Sequence, residues 1–350
     1  MKLKTTDLQR LVNKVKLGVG NNNLVKRSNF VFVYARKGKL ALLTTDGTNY
    51  IQAFAGIETD ETVSAAVIAD QFIPLVQKTT SAFVEMYQDG NTLHYKGNGD
   101  VKLSVADFDG IEYKPVEIPN DVPADAPYLG TLKSGYVSTL IRAMSATAES
   151  VAVPKYLDIL LSADVWSTNA AVMYKGKGLG LLEELQIPTA LARLVAIMDS
   201  ADVDVEKIEN QILFIGDDIR VWGNCSALEL NATELSAIVD SPADKEYWVE
   251  LSKAEIVESL SRLSIFSNTD SDLILNFTAG QLKMRLAGDS IIESVSYIKA
   301  DGTNKDYTVI LADFMKLIKN IDESNFKISY SSAPFLKFIC TDYIFVQVAY

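Results

Sequence analysis

The sequence predicts an α+β protein of three similar domains, each built from two units of one helix plus about four antiparallel strands. Three observations lead there. A phrase repeats: VIADQFIPLVQK at 67–78 returns as ILADFMKLIK at 310–319, with the same Ala-Asp pair, a following Phe and an apolar-apolar-basic ending. Six segments place apolar residues at helical spacing, and they recur roughly every 54–65 residues. Between them the chain alternates apolar and polar with turn residues at intervals, as half-buried strands do.

The helices follow in order. TDLQRLVNKVK puts Leu8, Leu11, Val12 and Val15 on one face. DQFIPLVQK offers Phe72, Leu75 and Val76, and its Pro74 demands a position near the first turn, where amide donors lack partners anyway. SGYVSTLIRAM is read with Val137, Leu140, Ile141 and Met144 inward. PTALARLVAIM starts at Pro188 and turns Leu191, Leu194, Val195 and Met198 inward. SKAEIVESLSRL carries a capping-box pattern, Ser252 with Glu255, before the stripe Ile256, Leu260, Leu263. DFMKLIKNI closes the series with Phe314, Leu317, Ile318 and Ile321. Hairpins are expected in AFVEMYQDGNTLHYKGNG around Asp89-Gly90 and in LILNFTAGQLKMRL around Ala279-Gly280. QILFIGDDIRVWGN and FLKFICTDYIFVQVAY read the same way, and KGKLALLTTDGTNYIQAFAG supplies early strands.

Pairing the units gives domains 1–122, 123–245 and 246–350, with breaks near IPNDVPADAP (118–127) and DSPADKEY (240–247). No apolar run is long enough for a bilayer, and MKLKTTDLQRLVNK has no signal-peptide core, so a cytoplasmic protein with no membrane contact is expected. Cys225 and Cys340 form no CxxC pair, and one histidine, His94, cannot build a multi-His metal site. No metal or cofactor is expected. KGKGLG (175–180) fits neither the GxGxxG nor the GxxxxGK[ST] phosphate loop, and Asp217-Asp218 falls at a predicted turn, where Asp is common. An enzyme, such as a hydrolase, is therefore the weaker reading.

The net charge of −12, taken whole, argues against nucleic acid. The helices alone argue otherwise. They carry Arg10, Lys14, Lys16, Lys78, Arg142, Arg193, Lys253, Arg262, Lys316 and Lys319 against Asp7, Asp70, Glu255, Glu258 and Asp313. Asp7, Asp70 and Asp313 sit at helix starts, where carboxylates cap amides and meet the positive end of the dipole. These basic residues are either ordinary solvated faces or one electropositive surface that holds phosphates without reading bases.

The blocks YWVELSKAEIVESLSRLSIFSN, DLILNFTAGQLKMRLAG and VILADFMKLIKNI, with the C-terminal hairpin, resemble the bacterial β sliding clamp of DNA polymerase III. AFVEMYQDGNTLHYKGNGDVKLSVADF resembles the end of its first domain, and the likeness extends over the whole chain. WSTNAAVMY (166–174) stands where the family has an ATDGHRLA-type segment, with only Thr168 close, so the chain resembles a divergent member, such as a phage one. The resemblance implies the DNA clamp fold: a head-to-tail homodimeric ring with strands outside and helices lining a hole for double-stranded DNA. It implies no covalent chemistry, only a processivity factor that tethers DNA polymerase and is placed by a clamp loader. The ten basic helix residues then become DNA-facing candidates.

The resemblance further implies a ring interface in which Ile265 and Phe266 of IFSN, matching ILSN in the family, face Val101 and Leu103 of DVKLSV; ordinary core is the alternative for all four. It also implies a groove for short apolar partner peptides. By position this comprises Leu157, Thr168, Ala170, Val172, Met173, Leu235, Val239, Phe345, Val346 and Val348, with sheet core the rival for Leu157, Leu235 and Val346. Gln347 replaces a family proline, and Ala171 and Val172 replace a His-Arg pair, so an altered partner motif is expected. A structural or virion repeat protein without a DNA role is the alternative from a different class; it would need no basic helix faces.

Overall fold

The computed structural model describes residues 1–20, 27–58, 62–106, 126–148, 153–208, 210–240, 246–268, 271–288, 291–302 and 304–350. Both expected interdomain breaks fall largely on residues outside these, 118–125 and 241–245. The helices are α1 (Thr5–Val15), α2 (Ala69–Gln77), α3 (Tyr136–Ser145), α4 (Thr189–Val195), α5 (Ala232–Val239), α6 (Lys253–Leu263) and α7 (Leu311–Lys319). Six are those expected from periodicity; α5 is an addition.

The described residues cluster into two compact units: 1–137 with 190–225, and 138–189 with 226–350. The first unit holds an eight-stranded antiparallel sheet. Its strands run, in hydrogen-bonded order, Val63–Ile68, Phe30–Arg36, Lys39–Thr45, Asn49–Gly56, Ile219–Asn224, Gln211–Ile215, Val203–Ile208 and Tyr128–Leu132. A smaller sheet runs Lys2–Lys4, Phe83–Asp89, Thr92–Lys96, Asp100–Ser104. The second unit holds a nine-stranded sheet: Leu185–Pro188, Asp158–Leu161, Asp164–Thr168, Val172–Lys177, Tyr343–Val348, Phe335–Ile339, Asn325–Tyr330, Tyr247–Ser252 and Lys299–Asp301. Its smaller sheet runs Ile292–Ser296, Gln281–Leu286, Asp272–Phe277, Lys305–Ile310. All four expected hairpins form.

Two ladders cross the expected domain borders. Ile51 pairs with Val221 in the first unit, and Met173 pairs with Val346 in the second. Sheets continuous across a sequence border explain why compact units and sequence repeats divide the chain differently.

The repeated phrase marks a repeated joint. In α2 and α7 the shared phenylalanines, Phe72 and Phe314, are fully buried. The first amide of each helix donates to a loop carbonyl: Ala69 to Asn29 (2.9 Å), Leu311 to Ser271 (3.0 Å). Each helix end is satisfied by an earlier helix of the same compact unit. Gln9 Nε2 on α1 donates to the carbonyls of Val76 (3.1 Å) and Thr79 (3.0 Å), and Lys253 Nζ on α6 donates to those of Lys319 (3.2 Å) and Ile321. These are the carbonyls a helix C-terminus otherwise leaves unpaired. The α1 stripe Leu8, Leu11, Val12, Val15 is fully buried, at roughly 1.5–3 kcal/mol for each residue.

Four local expectations change. On α3 the inward face is Tyr136, Leu140 and Ala143, while Ile141 is 47% exposed; the small Ala143 lets Ser167 Oγ reach its carbonyl at 2.7 Å. Pro74 is the sixth residue of α2, not a first-turn residue; the carbonyl it cannot serve belongs to exposed Asp70, where water can take the amide's place. Ser252 precedes α6 without a side-chain capping bond, so its capping box does not form. The residues before α1, α2 and α7 are Lys4, Ile68 and Ile310, so Asp7, Asp70 and Asp313 act from the first turn through the dipole rather than as caps.

His94 lies in strand Thr92–Lys96, stacked on Tyr87 with centroids 4.4 Å apart. Cys340 is buried, and burial pushes its thiol up to about 11, away from thiolate chemistry. Among the described residues no cluster of His, Cys, Asp and Glu could hold a metal, and no helix is long and apolar enough to cross a membrane.

Candidate functional site

The second unit carries a groove of about 300 Å³ between α5 and the nine-stranded sheet. Its apolar walls come from strand ends. Thr168, Val172 and Met173 belong to one hairpin, and Val346 and Val348 to the neighbouring strand. A turn closes the hairpin: Asn169 Oδ1 accepts from the amides of Ala171 (2.9 Å) and Val172 (2.6 Å), and Thr168 Oγ1 donates to the Val172 carbonyl (2.9 Å). Ala170 sits there at φ 73°, a conformation strained for any residue with a Cβ. The floor is a buried cluster that includes Leu160, Trp166, Leu235 and Val239.

Of the ten residues expected in the groove, seven line it: Thr168, Ala170, Val172, Met173, Leu235, Val346 and Val348. Three do not. Phe345 alternates to the other face of its strand and packs on Tyr174 and Tyr343. Val239 lies beneath, in the cluster. Leu157 ends a short 3-10 turn, and its carbonyl accepts from Thr189 Oγ1. The helix α5 and the wall residues Tyr156, Leu230 and Phe335 were not expected from the sequence. The signal was present: Asn231-Ala-Thr-Glu234 followed by Leu235, Ile238 and Val239 is a cap with a helical stripe. Asn231 Oδ1 does accept from the amides of Thr233 (2.9 Å) and Glu234 (3.3 Å). Gln347 is buried with Oε1 unpaired among the described residues.

The ten basic helix residues fall into different environments. Arg10 and Lys14 share one carboxylate, Asp218, with Lys14 Nζ at 2.6 Å. Burial raises the Asp218 carboxyl, but the hydrogen bonds from Lys14 and Arg10 outweigh it and hold the group below its usual range. Asp217-Asp218 is thus half counter-ion rather than a metal site. Arg142 is removed from solvent: it pairs with Asp322 and lies 4.3 Å over the Tyr343 ring. Lys253 is engaged by the α7 carbonyls. Arg262 pairs with Glu293 (2.7 Å) and Glu258 (2.6 Å), a cluster whose net charge is −1. The Glu293 bond leads in raising the Arg262 guanidinium, and reciprocally in lowering the Glu293 carboxyl. Arg142, Lys253 and Arg262 are thus each engaged within the chain, the two arginines by carboxylates and Lys253 by neutral carbonyls that leave its charge in place. Lys16 reaches only Asn13 (3.2 Å), Lys316 is half-buried, and Lys78, Arg193 and Lys319 are exposed with no carboxylate partner among the described residues.

The edge candidates divide too. Ile265 and Phe266, in the turn after α6, are 75% and 59% exposed. Strand Ile292–Ser296, the last of its sheet among the described residues, is tied to α6 by Arg262–Glu293 and exposes Ile292. Strand Asp100–Ser104 is likewise terminal in its sheet. Its Val101 is half-buried, but Leu103 is only 5% exposed and belongs to the chain's own core, which corrects its placement at an interface.

No protein-family model matches the chain, and no curated protein sequence does. Solved structures match over its full length. The DNA polymerase sliding clamp from Bacillus subtilis is similar at TM-score 0.82 and 15% identity, covering 100% of this chain and 98% of that one. DNA polymerase III subunit beta from Borrelia burgdorferi, solved in complex with a natural product, gives 0.86 at 15% identity with the same coverage. The beta subunit from the DNA polymerase of Streptococcus pyogenes gives 0.84 at 14%, covering 100% and 99%. The chain has the fold of these clamps.

Proposed function

We propose that the chain is a DNA sliding clamp: two copies join head to tail in a ring around duplex DNA and tether a polymerase, without covalent chemistry. The observation that carries this reading is that one clamp fold accounts for the whole chain, end to end. Three domains, 1–122, 123–245 and 246–350, would give a six-domain ring from two subunits.

The local geometry supports each part. Ring closure is assigned to the terminal strands Asp100–Ser104 and Ile292–Ser296, which each leave one row of backbone groups for a second copy. Ile265 and Phe266 supply exposed apolar surface beside them, with Val101 opposite. DNA contact falls to Lys16, Lys78, Arg193, Lys316 and Lys319, with Arg10 and Lys14 partly neutralised by Asp218. A few mobile cations holding phosphates suit a ring that must slide. The groove takes a short apolar segment of the polymerase or the clamp loader, and Met173 gives it an adaptable wall. The reading places the protein in the cytoplasm, in a cell or in one infected by a phage.

Two measurements test this together. Light scattering should give twice 38.4 kDa, about 77 kDa, in a dilution series. The protein should then stay on nicked circular DNA after loading and run off the same DNA once linearised. A monomer that leaves both forms at the same rate would sink the proposal.

A further inference from the structure

Outside the groove and the helices, the first unit contains a second cavity, of about 450 Å³, on the exposed side of its eight-stranded sheet. That volume is within the range of small-ligand sites. Four cations line it: Arg36, Lys37, Lys39 and Arg220. No carboxylate lines it among the described residues, although the chain as a whole is strongly acidic. The register explains the convergence. Arg36 pairs with Lys39 across a two-residue turn, Tyr34 with Ala41, Ala41 with Phe54, and Arg220 with Gln52. All these side chains therefore emerge on one face of the sheet.

Two details set this cavity apart from a solvated face. Lys37 holds φ 48° in the turn before Gly38, where asparagine or glycine is the unstrained choice. The turn nonetheless carries a lysine, and that lysine lines the cavity. Arg220 Nε is buried and has no hydrogen-bond partner among the described residues, while its guanidinium lies 5.8 Å from the Phe54 ring centroid. An unpaired buried N–H is a costly feature unless something accepts from it. The remaining walls are aromatic, Tyr34 and Phe54.

We propose that this cavity binds a nucleotide unit, with Arg36, Lys37, Lys39 and Arg220 on its phosphates and its base against Phe54 and Tyr34. Basic residues interleaved with aromatic faces are the chemistry that holds unpaired nucleotides without reading sequence. The unit can come from a free nucleoside triphosphate or from single-stranded DNA, and the site is independent of duplex contact by the helices.

The test uses the full chain and fluorescence anisotropy with three probes: a fluorescent ATP analogue, a labelled ten-nucleotide oligo-dT and a labelled duplex of the same length. We expect oligo-dT or the ATP analogue to bind, with affinity falling about tenfold or more in R36Q/K39Q. Lys37→Gly should weaken the same probe severalfold while melting no lower than wild type, since glycine relieves the turn; a loss there cannot be misfolding. A loss confined to oligo-dT identifies the strand as the source, and one confined to the analogue identifies the free nucleotide. The proposal is overturned if wild type binds neither probe, if the cavity variants bind as wild type does, or if a polyglutamate peptide displaces the probe as effectively as unlabelled oligo-dT.

Discussion

Asp218 sets the charge of the surface around α1. It neutralises one of two cations, Arg10 and Lys14, and does so as a group held below the ordinary carboxylate range. The sign follows: a depressed folded value contributes stability above the unfolded value of about 3.9 and loses it as pH falls through the folded one. Asp218→Asn should therefore flatten the acid limb of a urea-unfolding series run from pH 7 down to pH 3. The same substitution releases both cations, so non-specific duplex affinity should rise and its salt dependence steepen by up to about two phosphate equivalents. Weaker duplex binding in D218N would remove Arg10 and Lys14 from the DNA-facing set. At Ala170, φ 73° strains a residue with a Cβ, so Ala170→Gly should raise stability by up to about 1 kcal/mol in chemical denaturation. At this scale the sequence told residue type but not company. Arg142, Lys253 and Arg262 read as surface cations until Asp322, the α7 carbonyls and Glu293 are seen beside them, each remote in sequence.

Among the described residues, helical periodicity located six of the seven helices through their apolar stripes. It passed over α5, whose stripe is only Leu235, Ile238 and Val239. The cap at Asn231 was the better signal there. Asn231→Ala should cost about 1 kcal/mol, and because α5 forms one wall of the groove it should also weaken capture of an apolar partner peptide. Titration calorimetry against a polymerase C-terminal peptide would show the weaker affinity, and scanning calorimetry of the free protein the lower melting point. Unaltered affinity would separate α5 from recognition. The α3 face was misread for a different reason: Tyr136 and Ala143 bury, while Ile141, more apolar than either, is left outside. Periodicity finds a stripe only where the inward residues are the most apolar ones.

At the level of the molecule, the repeat was legible because it is written in local phrases, and the division into compact units was not, because sheet ladders join residues far apart. The groove was readable only in outline, and only through the family resemblance that placed Thr168, Met173 and Val346 there; its other wall, α5, and the carboxylates Glu229 and Glu234 were not. Replacing Ile265 and Phe266 together by Asp should convert a 77 kDa species, twice 38.4 kDa, into one of 38.4 kDa by light scattering, with an unchanged far-UV spectrum, since both side chains are already exposed. A dimer that survives this change would assign ring closure to the strand edges alone.

The strand Tyr343–Val348 stands fifth of nine in its sheet, between Val172–Lys177 and Phe335–Ile339. It is the last of the nine to leave the ribosome. Until then the hairpins made earlier present open edges, Val172–Lys177 among them, and the groove lacks the wall that Val346 and Val348 provide. Such edges are the places where nascent chains pair wrongly. The groove and the sheet are thus completed in one step: the strand that fills the gap between Val172–Lys177 and Phe335–Ile339 is the same one that brings Val346 and Val348 to the groove.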